Sequence, residues 1–72
     1  MFDREKFKKR MRVARINKDM SVIEVANKVG VLPLSVYNYE SGKQIPRTEI
    51  LYKICTVLDV SADWLIGRTD EM

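Results

Sequence analysis

The chain has 72 residues, carries 13 Lys and Arg against 10 Asp and Glu for a net charge of +3, and contains no histidine. A chain of this length has residues for one hydrophobic core only, so a single domain over 1–72 is expected. No apolar run approaches the length of a bilayer span, and one cysteine, Cys55, excludes an internal disulfide.

Asp3 is placed to cap a first helix running to about Lys18, with Phe7, Met11 and Ala14 as its apolar stripe. Ser21 opens a second helix: with Glu24 it forms a capping-box pattern, in which each side chain satisfies a backbone N–H at the helix start. Val22, Val25, Ala26 and Val29 supply the buried side, and Gly30 ends the helix. Pro33 suits the first position of a third helix, where its missing N–H has no partner to lose. Val36 and Tyr39 should point inward, and Ser41 and Gly42 should close that helix before a loop from Lys43 to Pro46. A fourth helix is predicted over Thr48 to Leu58 with Leu51, Ile54, Cys55 and Leu58 inside. Asp59 and Val60 turn the chain, and Ser61 caps a short fifth helix through Ile66 that Gly67 stops.

The turn Gly30-Val31-Leu32 is too short for the second and third helices to run antiparallel, so they must cross steeply, as in a helix-turn-helix. Ala26 lets the two backbones approach, and Val31 and Val36 plug the angle between them. The third helix, about 33–41, then turns Pro33, Leu34, Ser35, Tyr37, Asn38 and Ser41 outward. An α-helix fits the DNA major groove, and an Asn at position 38 can bond adenine N6 and N7 together. Leu34 suits a thymine methyl; Ser35 and Tyr37 suit a base edge or a phosphate. Charge agrees with a polyanionic partner, because residues 1–20 hold eight basic groups against three acidic ones and the sign reverses after residue 49.

The chain resembles the Cro/CI-type (Xre-like, phage-repressor-like) helix-turn-helix family along nearly its whole length. The resemblance rests on Phe7, Arg15, Ser21, Val25-Ala26, Gly30-Val31, Val36, the run Tyr39-Glu40-Ser41-Gly42-Lys43, Pro46, Leu51, Ile54, Leu58, Val60-Ser61 and Trp64-Leu65-Ile66-Gly67-Arg68. It implies an all-α, five-helix, lambda-repressor-like domain that binds operator DNA, usually as a homodimer, through its third helix. It also implies that Arg15 and Glu40 pair to lock the first helix to the third. Phosphate contacts are expected from Lys43, Gln44 and Arg47, with Arg10 and Lys28 as further candidates. A dimer seam is expected around Trp64, Leu65 and Ile66. The chain departs from the family pattern in three places: Val22 replaces a phosphate-binding glutamine, Leu32 a hydroxyl cap, and Pro33-Leu34 polar reading residues. No arginine lies on the reading surface, so a preference for A·T-containing sites and some dependence on DNA shape are expected.

An enzyme is not expected, since histidine, the commonest general base, is absent and one cysteine cannot build a zinc site. No metal or cofactor is therefore predicted. Cys55, Trp64 and the methionines read as packing residues. Phe2 is followed at once by Asp3, Arg4, Glu5 and Lys6, unlike a secretory leader, which points to the cytoplasm with no membrane partner. The competing reading is a protein-interaction module on the same fold, favoured by the apolar patch Leu32-Pro33-Leu34.

Overall fold

Four of the five helix starts in the computed structural model, which describes residues 2–72, are set by a local acceptor or by proline. The Asp3 carboxylate accepts from Lys6 N at 3.1 Å and begins α1 (Arg4–Asn17). Before α2 (Val22–Val29), Ser21 Oγ accepts from Glu24 N at 3.0 Å while Glu24 Oε1 accepts from Ser21 N at 2.9 Å, which completes the expected box. The Ser21 backbone N–H first, and its hydroxyl second, hold the Glu24 carboxyl below its ordinary pKa, so a negative charge stays at this helix end. Leu32 offers no acceptor to α3 (Pro33–Ser41), whose start relies on Pro33. α4 (Thr48–Leu58) ends at Asp59, in the left-handed region at φ +56°; α5 (Ala62–Leu65) is a single turn capped by Ser61 Oγ at 3.0 Å from Trp64 N.

Gly30 stands at φ +89°, and a Cβ there would meet nothing within 4 Å. Its requirement is conformational, not spatial: only a residue without a Cβ turns this corner without strain. The turn brings α3 across α2, with Ala26 fully buried at the crossing and Val31 partly buried against the core. Phe7, Met11 and Ala14 of α1, the apolar side of α2, and Val36 and Tyr39 of α3 fill the interior as expected.

Two packing expectations need correction. The inner face of α4 is Ile50, Ile54 and Leu58, whereas Leu51 and Cys55 are only half-buried. The helix is rotated by about one residue from the expected face because it packs on α2 and α5 together. The second correction concerns α5. Trp64 is 6% and Leu65 0% exposed, so both belong to the interior and cannot form a dimer seam; Ile66 alone remains half-buried at the surface. A one-turn helix wedged between α1 and α4 has protein on both sides, so consecutive apolar residues both find cover.

Candidate nucleic-acid interface

α3 lies at the surface with its outer face unlike that of an ordinary solvated helix. Leu32, Leu34 and Tyr37 are 72%, 65% and 57% exposed, and Lys and Arg are absent from Leu32 through Gly42. Ser35 and Asn38 are half-buried on the side turned toward the following loop. That loop is bent back over the helix end: Lys43 N and Gln44 N both donate to Asn38 O, at 3.0 and 3.2 Å. Gly42, at φ +82°, makes the reversal possible and sits against the stems of Arg4 and Lys8, with a Cβ there only 3.3 Å from Lys8 Cδ. Arg4 Nη1 also donates to Gly42 O at 2.9 Å.

The reversal brings three expected contact residues together. Ser35, Gln44 and Arg47 line one groove of about 320 Å³ beside α3, with Gly30, Val31 and Tyr39 at its floor and edge. Burial pushes the Tyr39 phenol above its usual pKa, and the charge of Arg47 acts in the opposite direction. Asn38 Nδ2 donates to Gln44 Oε1 at 3.4 Å. An amide NH₂ has a second hydrogen, so one N–H and the Oδ1 of Asn38 stay available, which is the donor and acceptor pair that adenine needs. Lys43 and Arg47 are exposed at the loop and at the start of α4.

Arg15 and Glu40 form the expected lock. Arg15 Nε and Nη2 donate to Glu40 Oε2 and Oε1 at 2.7 and 3.1 Å, and Nη1 donates to Met20 O at 3.0 Å. Both side chains are largely buried, at 15% and 10% exposure. The Glu40 bonds raise the Arg15 pKa further, against an opposing desolvation effect, so the guanidinium is permanently charged. Tyr37, three residues before Glu40, shares its side of α3, the side that faces α1.

Arg10 is not free to bind phosphate. Its guanidinium donates to Trp64 O, Thr69 O and Asp70 Oδ1, each at 2.6 Å, and lies 5.1 Å from the centre of the Trp64 ring. It fastens the segment after α5 to α1, and its charge holds the Asp70 carboxyl below the usual carboxylate range. Lys28 lines a groove with Val29, Tyr52, Lys53, Thr56 and Val57, between α2 and α4, apart from the residues gathered around α3. The Val22 side chain is buried, and the charge at the start of α2 is the Glu24 carboxylate, so no side chain of Val22 or Glu24 offers a phosphate a donor there.

One feature escaped the reading of the sequence. Arg4, Lys8, Arg12 and Arg15 recur at spacings of four, four and three, and therefore share one face of α1. Arg4 and Lys8 reach Gly42, and Arg15 reaches Glu40, so this face borders α3 on the side opposite Gln44 and Arg47. Lys8 pairs with Glu5 at 2.8 Å, whereas Arg12 is exposed and joins no ion pair among the described residues. The spacing was visible in the sequence; which neighbour it faced was not.

Among the described residues no helix is long and apolar enough to cross a membrane, and no group of three or more His, Cys, Asp or Glu side chains is placed to hold a metal. The sequence model of a helix-turn-helix family matches residues 11–65. The chain is 37% identical over 68 residues to the cryptic phage CTXphi transcriptional repressor RstR of Vibrio cholerae serotype O1; the match takes in 92% of this chain and 61% of that protein. Among solved structures, the clp gene regulator ClgR from Corynebacterium glutamicum superposes with a TM-score of 0.79 at 26% identity, over 86% of this chain and 66% of that one. A hypothetical transcription factor, NHTF, from Neisseria gives a TM-score of 0.79 at 24% identity, over 92% and 79% of the two chains, and speaks to the fold alone.

Proposed function

Because the chain belongs to the helix-turn-helix family of Cro/CI, Xre-like type, we propose that it is a transcriptional regulator of the repressor type, not an enzyme, whose α3 reads the major groove of double-stranded DNA. The observation that carries this is the convergence of Ser35, Asn38, Gln44 and Arg47 from α3, the loop and α4 onto one side of an outward-facing helix. Leu34, Ser35, Tyr37 and Asn38 are the base-reading set. Lys43, Arg47 and the Gln44 backbone hold the phosphates on one rim of the groove. Arg12, with Lys8 and Arg4, holds the other rim. The whole of 1–72 acts as one DNA-binding unit in the cytoplasm, without metal or cofactor.

The proposal includes a homodimer, seated on the α4–α5 edge instead of on Trp64 and Leu65. There Leu51, Tyr52, Cys55, Val60 and Ala62 line a largely apolar groove of about 450 Å³. Two copies would set their recognition helices about 34 Å apart, one turn of the duplex.

Salt dependence tests the DNA reading. Affinity for a duplex should fall with a log–log slope of about −0.9 per phosphate contact, and Lys43→Ala should reduce that slope by about one while weakening all sequences alike. Asn38→Ala should instead relax preference at one base pair. Failure of any duplex to bind at low ionic strength contradicts the proposal and leaves the exposed Leu32–Leu34 patch to a protein partner.

A further inference from the structure

We propose that α3 reads the C5-methyl group of thymine through Leu34, so that binding depends on the methylation state of pyrimidines in the site. The inference rests on the DNA-reading function proposed above and specifies the chemistry that α3 recognises. Its ground is the contrast between what α3 exposes and what surrounds it. Leu34 and Tyr37 are three apart, hence neighbours on the helix surface, and both are more than half exposed. Leu32, one residue before the helix, is more exposed still.

Leu34 and the Tyr37 ring on a helix with no cation of its own, and Leu32 just before it, are held in water and have no role in the core, which Val36 and Tyr39 already serve. They are flanked by cations, Lys43 and Arg47 on one side and Arg12 on the other, so the partner that covers them must be apolar at its centre and anionic at its rims. A major groove containing thymines has that layout. Its floor carries methyl groups and its walls are phosphates, whereas an apolar protein surface bordered by acidic residues would be a less regular match. Guanine, by contrast, offers acceptors at O6 and N7 that Leu34 and Tyr37 have no cationic donor to meet. Asn38, bonded to Gln44, supplies the one side-chain amide on α3 and suits adenine, the partner of the methyl-bearing base.

Deoxyuridine differs from thymidine only by that methyl and keeps every hydrogen-bonding group. The experiment selects bound duplexes from a random library, then measures the affinity of the enriched duplex and of its copy with every thymine replaced by deoxyuridine. The copy should bind about fourfold more weakly for each methyl in contact, the effect of one buried carbon. Leu34→Ala changes an exposed residue to a strong helix former, so the fold is retained. It should bind both duplexes nearly equally, with the salt slope of the parent. Equal affinity of the parent for both duplexes overturns the inference but not the DNA-binding function. So does a thymine preference that survives in Leu34→Ala, which would assign the effect to a neighbouring side chain or to duplex shape. A library with no enriched sequence removes base reading itself, and absence of any binding removes the function beneath it.

Discussion

Arg15 and Glu40 illustrate how a buried charge pair trades stability for geometry. The two bonds tie α1 to the middle of α3, and the extra donation to Met20 O reaches the segment that leads into α2. Removing one partner strands the other in a nearly dry site. Arg15→Ala should therefore lower unfolding free energy by about 3 kcal/mol or more in urea titrations. Replacing both, as Arg15→Met with Glu40→Leu, should return to within about 1 kcal/mol of the parent, because apolar packing substitutes for a pair that gains little net stability. A cost below about 0.5 kcal/mol for Arg15→Ala would falsify the lock. Arg10 teaches the converse lesson. Its sequence position beside other basic residues suggested phosphate binding, but both Nη1 hydrogens, one Nη2 hydrogen and the guanidinium face are already engaged inside the molecule.

At the scale of the element, helix starts and stops were legible because each rests on chemistry within a few residues. Ser21 with Glu24, Pro33 and Gly30 lie where caps and turns demand them. The orientation of α4 and the fate of α5 were not legible in that way. Which apolar stripe of α4 turns inward depends on where α2 and α5 meet it, and Leu51, Ile54, Cys55 and Leu58 satisfy the helical period nearly as well as Ile50, Ile54 and Leu58. The outcome leaves Leu51, Cys55 and the exposed ring of Tyr52 along one edge. The proposed homodimer uses that edge. Sedimentation should find a dimer for the parent chain and a monomer for Tyr52→Glu, since the new carboxylate would be buried without a partner. A monomeric parent at the concentrations that saturate DNA, or a Tyr52→Glu variant that still pairs, would contradict this placement.

Across the whole molecule, the architecture follows from a small number of interlocks: Gly30 turns α3 across α2, Arg15 ties α1 to α3, and Arg10 fastens the segment beyond α5 to α1. Their joint effect is to leave one face of α3 uncovered and to place cations on both of its flanks. The outer face of α3 was visible in the sequence because outward positions on a helix follow from its period. The α1 rim was not, because four basic residues on one stripe have no address until Glu40 and Gly42 supply it. The measurement that tests the account most directly is a titration of isotope-labelled protein with the library-selected duplex, followed by backbone and side-chain amide shifts in NMR. The account predicts that the largest changes fall on Leu34, Ser35, Tyr37, Asn38, Lys43, Gln44 and Arg47, with Arg12 on the far rim, while Trp64 and Leu65 stay still. Shifts confined to the α4–α5 edge, or spread evenly over all basic residues with α3 silent, would contradict it.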